Sequence, residues 1–154
     1  MRALIQRVAK ASISNVGSSK DILASIDKGM VILVGFEESD SLVCIEQMVQ
    51  KIKSLRIFSD AAGKMNVAGP DAGASYLLVS QFTLFAEVKY GNRPSFDRAA
   101  PKQKAIERYD LFVKTFERML GADKVKHGIF GSDLYVDLIN DGPVTIWMNS
   151  KEIL

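Results

Sequence analysis

Helical periodicity marks only two stretches of this 154-residue chain, and strand-like runs fill the space before, between and after them. From Leu42 to Leu55, the apolar residues Leu42, Ile45, Met48, Val49, Ile52 and Leu55 recur at three- and four-residue steps, with Ser39, Asp40 and Ser41 available as caps. From Pro101 to Leu120, Ala105, Tyr109, Phe112, Phe116 and Met119 do the same; Pro101 suits the first turn and Gly121 the stop. Leu4 to Ile13, Ile22 to Ile26, Gly29 to Phe36 and Ser75 to Phe85 read as strands, broken by Gly, Asn and Asp. Near the C-terminus two more alternating runs, Leu134 to Ile139 and Val144 to Asn149, flank Asn140-Asp141-Gly142-Pro143, which reads as a hairpin turn. This order has too few helices for a doubly wound parallel sheet. It predicts an α/β fold in which a curved, mostly antiparallel or mixed sheet forms a barrel-like roll with two main helices packed on it.

The length suits one domain spanning residues 1–154. Ala61 to Ala74, rich in Gly, Ala and Asp, reads as a surface loop within it, because the pieces on either side would each be marginal alone. The longest apolar run, Met30 to Phe36, is far below the roughly 20 residues that span a bilayer, so no membrane partner is expected. The single Cys44 excludes an intramolecular disulfide and a Cys-rich zinc site, and on the first helix it reads as a small hydrophobe. With Gln6 and Arg7 interrupting the N-terminal apolar stretch and one free cysteine, a reducing cytoplasm is the expected location. Twenty basic residues against 18 acidic ones give a net charge of +2, which is not the footprint of a protein that wraps nucleic acid, and no DNA partner is expected.

A search for conventional chemistry finds little. His127 is the one histidine, and no sequence feature supplies it with a partner; it reads as solvated. Glu37-Glu38 reads as a solvated turn. No Walker loop or dinucleotide fingerprint occurs, and no metal or cofactor is expected. Two stretches stand out. Ser80-Gln81-Phe82-Thr83 sets polar groups in an apolar strand, which simple alternation would explain by putting Ser80 and Phe82 on one face and Gln81 and Thr83 on the other. Asn140-Asp141-Gly142-Pro143 is either a hairpin turn or the site of a cis Gly-Pro bond.

Six blocks together resolve these readings. Met1 to Val8, Leu55 to Phe58, Gly63 to Asn66, Ser80 to Leu84, Gly91-Asn92-Arg93-Pro94-Ser95-Phe96 and Asn140 to Thr145 resemble, in order and over nearly the whole chain, the D-aminoacyl-tRNA deacylases, the chiral proofreading enzymes of translation. Residues 15–22 and the loop around Gly69 look individual, and no function is carried onto them. The resemblance implies hydrolysis of the ester between a D-amino acid and tRNA, extending to glycyl-tRNA mischarged on the alanine tRNA. It implies a homodimer with two sites near the subunit interface. Ser80, Gln81, Phe82 and Thr83 would form the floor of one site. Gly142 and Pro143 would form a cis dipeptide entering the partner's site, with Asn140 beside them. Phe130 and Leu134 would shape the pocket for the terminal adenosine.

Two mechanisms stay open on this resemblance: Thr83 as nucleophile, or the neighbouring ribose hydroxyl carrying the chemistry while strand amides hold the oxyanion. The chain favours the second, because a threonine nucleophile needs a base and the sequence offers no good one. Oriented amides can supply about 3–4 kcal/mol each without any ionisable side chain. Ser80 would then position the 2′-hydroxyl or a water, and Gln81 would donate to the carbonyl oxygen. From Ala86 to Arg108 six basic residues face three acidic ones, and Lys89, Arg93 and Arg98 are candidates for weak contacts to tRNA phosphates. The competing reading is a non-catalytic RNA- or nucleotide-binding module on the same fold, and a third is a scaffold whose motifs are structural.

Overall fold

The apolar run from Met30 to Phe36 is continuous rather than alternating because the strand it forms is covered on both faces. In the computed structural model, which describes residues 1–17 and 21–153, this strand is β3 (Gly29–Gly35). Residues 18–20, part of the individual segment 15–22, lie outside the described residues. Met30, Ile32 and Val34 point to a layer of helices, while Val31 points into the hollow of the sheet with Val8, Ala11, Ile13, Ile26, Leu77 and Val79.

Six strands make the main sheet. The long β1 (Arg2–Asn15) pairs antiparallel with β2 (Ile22–Ile26) and β3 along one edge, and with β8 (Leu134–Asn149) along the other. β3 pairs parallel with β6 (Ser75–Ser80), which pairs parallel with β7 (Val125–His127). β2 also lies against β6 and β7, so the sheet curls into a nearly closed, mixed barrel. Parallel pairs need long crossovers, and the two long helices supply them. α1 (Leu42–Ser54) lies between β3 and β6, and α2 (Lys102–Leu120) between β6 and β7. They pack side by side over Met30, Ile32, Tyr76 and Leu78 through Ile45, Met48, Val49, Ile52, Phe112 and Phe116. Ser41 caps α1 through the Cys44 N–H, and Gly121 ends α2 at φ +93°. α3 (Ser150–Ile153) is a single turn. The two main helices and barrel-like sheet are those expected, and Cys44 packs half-buried against the core.

Four expectations are corrected. The strand expected to Phe85 stops at Ser80 and is followed by a 3₁₀ turn, Phe82–Phe85. The segment expected as a featureless loop contains β5 (Met65–Val67), which pairs with β4 (Phe58–Ser59). Asn140 to Pro143 is not a hairpin turn. Both C-terminal runs belong to β8 and pair with β1, and residues 141–144 bulge out opposite Arg7. The bulge holds a cis Gly142-Pro143 bond. Finally, Glu37 is buried rather than solvated, while Glu38 is exposed.

Candidate active site

β3 and β6 both end at the same rim of the barrel, and the chain after Ser80 has lost its strand partner beyond Gly35. The Gln81 N–H still donates to the Val34 carbonyl at 2.7 Å, and there the chain turns into the 3₁₀ helix. Gly35 permits this: a Cβ on it would sit 2.7 Å from the Gln81 carbonyl oxygen. The turn closes through Leu84 N–H to Gln81 O at 3.3 Å and Ala86 N–H to Thr83 O at 3.0 Å. Phe82 and Thr83 are its first residues, and the opening N–H groups of a helix have no carbonyl one turn earlier to bond. The amides available to an oxyanion are therefore those of this turn, because the strand amide of Gln81 is already bonded.

Above the turn lies a cleft of about 300 Å³. Ser80, Gln81 and Phe82 line it together with Phe130, Leu134 and Ala105 of α2. Five of the residues predicted from the sequence are thus gathered in one place. Thr83 adjoins them: its hydroxyl oxygen accepts a hydrogen bond from the Gln81 side-chain amide. Phe130 is held by Tyr109, whose ring lies 5.8 Å away. The buried Tyr109 hydroxyl donates to Leu78 O at 2.9 Å and Gly128 O at 3.2 Å, and burial pushes its ionisation far above the ordinary tyrosine range.

The rest of the lining is chemically sparse. Of the side chains in it, only Asp133 ionises. His127 is exposed on β7 and does not line the cleft. No group of three metal-ligating side chains occurs among the described residues. Sequence reasoning missed Asp133, Ser132 and Ala105, which carry no local motif and reach the site only through the crossover after β7 and through α2.

Gly142, Pro143 and Asn140 stand elsewhere, outside the lining of this cleft. The bulge that carries them is tied at its base. Asn140 accepts the Val144 N–H at 2.8 Å and donates to Val144 O at 3.3 Å and Thr145 Oγ1 at 3.1 Å. The buried Arg7 donates from Nε to Asp141 O at 2.7 Å and from Nη1 to Ile57 O at 2.6 Å. Gly142 has φ +153°, and a Cβ on it would lie 2.6 Å from both Val144 N and Val144 Cγ2, so glycine is required. Gly142 and Pro143 themselves are exposed. Arg7 is a second omission of the sequence reading, since a basic residue in a strand gives no sign that its partner lies over 130 residues away. Arg2 plays a similar part at the cleft: it donates to Leu84 O at 2.8 Å and lies over the Phe85 ring at 4.6 Å, fixing the far end of the 3₁₀ turn.

The candidate phosphate contacts are all exposed. Lys89 lies over the Tyr90 ring at 5.2 Å, and Lys89, Arg93 and Arg98 form no ion pair among the described residues. Lys104 and Arg108, by contrast, are engaged with Glu38 and with the carbonyls of Glu38 and Asp40. No helix is long and apolar enough to cross a membrane among the described residues.

Residues 4–149 match the family model described as D-Tyr-tRNA(Tyr) deacylase. The D-aminoacyl-tRNA deacylase of Cytophaga hutchinsonii is 49% identical over 151 residues, covering 98% of this chain and 98% of that protein. That of Thermomicrobium roseum is 46% identical over 153 residues, covering 99% and 96%. Among solved structures, the c-Myc DNA Unwinding Element Binding Protein superposes with a TM-score of 0.90 at 36% identity over 97% of this chain and 98% of its own. A probable eukaryotic D-amino acid tRNA deacylase superposes at 0.83 over 96% and 97%, and at 16% identity that likeness concerns the fold alone. The cleft at the barrel rim and the full-length matches lead to one conclusion: the chain belongs to the D-Tyr-tRNA(Tyr) deacylase family.

Proposed function

We propose that this protein hydrolyses the ester of D-aminoacyl-tRNA, and of glycyl-tRNA mischarged on the alanine tRNA, and that it does so as a homodimer in the cytoplasm. The observation that carries the reading is the gathering of Ser80, Gln81, Phe82, Phe130 and Leu134 around one cleft in a chain of this family. Phe130 and Leu134 take the terminal adenosine, and the ester carbonyl rests over the 3₁₀ turn. The Phe82 and Thr83 N–H groups hold the developing oxyanion, each supplying about 3–4 kcal/mol. Ser80 orients the ribose 2′-hydroxyl or a water, and Gln81 donates to the carbonyl oxygen. Thr83 is not the nucleophile on this reading, because its hydroxyl oxygen accepts from the Gln81 side-chain amide and no hydrogen bond joins it to a base among the described residues. Neither metal nor cofactor has a part.

A second copy completes the site. Gly142 and Pro143 are exposed and stand outside their own chain's cleft, on a strand that also exposes Tyr135, Val136 and Ile139. That apolar strand face supports a contact with another copy, and the bulge then enters the partner's cleft. Handedness is read there by main chain. Bare backbone at Gly142 approaches the α-carbon closely, one carbonyl bonds the amino group, and the space an L side chain needs is filled. A D side chain points out and goes unread. Rejecting L by a thousandfold needs only about 4 kcal/mol, which a rigid clash supplies. Lys89, Arg93 and Arg98 add weak phosphate contacts. DNA wrapping has no support in a net charge of +2.

The test is incubation of purified protein with D-tyrosyl-tRNA and L-tyrosyl-tRNA, following ester loss, beside sedimentation at the working concentration. The reading expects D-specific turnover and a particle of about twice 17.0 kDa. An absence of D-specific turnover would leave the non-catalytic binding module, and an active monomer would remove the two-copy site.

A further inference from the structure

The block Gly91-Asn92-Arg93-Pro94-Ser95-Phe96 carries part of the family resemblance, yet none of its residues lines the cleft. Its geometry is nevertheless well defined. Glu87 and Ser95 exchange backbone hydrogen bonds of 2.8 and 3.0 Å, which closes residues 87–95 into a loop. Ser95 Oγ donates to Asp97 at 2.7 Å and fixes the chain on both sides of Phe96. The Phe96 ring then meets Phe82 edge to face, with centroids 5.0 Å apart at 71°. Phe82 lines the cleft, so this aromatic pair stands at its mouth.

Two features of the pair are unusual for a packing contact. Phe82 is 56% exposed and Phe96 36%, so both rings meet solvent. The loop that ends beside them also carries two exposed cations, Lys89 and Arg93. Glu87 accepts the Lys89 N–H at 2.8 Å and Asp97 accepts from Ser95, while Lys89 and Arg93 form no ion pair among the described residues. Open aromatic faces beside unpaired cations are the combination that holds single-stranded nucleic acid, by base stacking plus phosphate contact.

Resting on the deacylase reading, we propose that Phe82 and Phe96 form a stacking platform for the nucleotide immediately 5′ to the terminal adenosine, with the cations of the same loop taking its phosphates. The terminal adenosine and its ester occupy the cleft on that reading, so the next nucleotide leaves across its mouth, where the exposed Phe82 ring meets Phe96. Stacking is tolerant of base identity. The platform therefore grips any RNA ending in an unpaired strand without choosing among tRNAs.

The experiment compares two non-hydrolysable ligands: the dinucleotide cytidylyl-adenosine carrying a 3′-D-alanylamide, and the same compound with an abasic ribose in place of cytidine. Both keep the phosphate, so their difference isolates the base. Wild-type protein is expected to bind the first about tenfold more tightly by calorimetry, within the range that one stacked base supplies. Phe96→Ala and Phe96→Leu should abolish the preference, whereas Phe96→Trp should keep it. The Leu variant preserves apolar bulk without a π-face, so a retained preference there would overturn stacking. So would equal binding of the two ligands by the wild type. A shift of Phe96→Ala from dimer to monomer on sedimentation would assign the rings to an interface between copies and refute the platform. The deacylase reading is separated by one further arm. If the wild type prefers the base-bearing amide but hydrolyses neither D-alanyl-tRNA nor the 3′-D-alanyl ester of cytidylyl-adenosine, the platform stands and the deacylase reading falls.

Discussion

Asn140→Ala should loosen the bulge that presents Gly142 and Pro143 while leaving the cleft itself untouched. The wild-type side chain makes three hydrogen bonds: it accepts from Val144 N–H at 2.8 Å, and donates to Val144 O at 3.3 Å and to Thr145 Oγ1 at 3.1 Å. Thr145 is exposed, and its share is replaced by water at little cost. Val144 is buried at 8% exposure, so truncation strips a main-chain N–H and its carbonyl of their partner where water replaces it poorly. An unsatisfied buried donor costs about 1–3 kcal/mol, and we take about 2 kcal/mol as the expected loss. For a chain of this size each kcal/mol moves Tm by about 2–4 °C, so the transition should fall by about 4–8 °C. Asn140→Asp keeps the acceptor for the Val144 N–H but turns a carboxylate toward Val144 O, and should fall between Ala and wild type. Thr145→Val, removing only the exposed acceptor, should shift Tm by 2 °C or less on the same scale, as surface changes do. Calorimetric melts of the four proteins check the ranking, and D-against-L turnover checks the consequence for selectivity. An Asn140→Ala protein with wild-type Tm and wild-type selectivity would refute the claim that this side chain ties the bulge.

Thr83→Ala should retain substantial turnover of D-tyrosyl-tRNA, its barrier rising by about 1–2 kcal/mol at most, because it removes a hydroxyl that is not the attacking group; an acyl-Thr83 species caught by mass spectrometry would reverse the mechanism. Asp133→Asn should likewise stay within about tenfold of wild type, and a larger loss would make that carboxylate the general base. His127→Ala with chelator present should hydrolyse at the wild-type rate to within about tenfold, since His127 stands outside the cleft. Glu37 gives a pH signature: burial pushes its carboxyl up, but the hydrogen bond and charge of Lys151, with its ammonium 2.8 Å away, outweigh burial and hold it below the ordinary value of 4.5. A carboxyl depressed in the folded state stabilises above its unfolded value and loses that contribution as pH falls through its folded value. The Tm gap between wild type and Glu37→Gln should therefore be constant above about pH 5 and close below pH 4.5; a gap that widened on acidification would contradict the assignment.

What could be read from the chain, and what could not, divides along the range of the interactions. α1 and α2 were legible because their apolar spacing, Ser41 and Gly121 are local signals. The end of β6 was not. Leu84 and Phe85 continue the apolar pattern of a strand, and nothing between Ser75 and Phe85 announces that β3 stops pairing at Gly35. At Gly142 the cis bond to Pro143 implied by the resemblance is present, but the hairpin reading of the same residues fails for the same reason. Asn-Asp-Gly-Pro marks a departure from regular strand, but only the length of β1, long enough to pair both halves of β8, decides that the chain bulges instead of turning back. The floor and pocket residues Ser80, Gln81, Phe82, Phe130 and Leu134 were found through resemblance, and they do share one cleft. Arg7 and Asp133 were missed because each is ordinary in its own segment and acquires its place only when β1 meets β8 and the turn after β7 folds over the rim.

The central claim is that handedness is read by main chain against the α-carbon, with the D side chain left unread. Turnover of glycyl-tRNA beside D-alanyl-tRNA and L-alanyl-tRNA tests it most directly. Glycine has no side chain to meet the backbone of Gly142 and Pro143. The account therefore predicts that the glycyl and D-alanyl esters are both cleaved while the L-alanyl ester is spared by about a thousandfold or more, equivalent to about 4 kcal/mol. If the glycyl ester is spared as completely as the L-alanyl ester, the site recognises the D side chain itself, and the main-chain account is wrong.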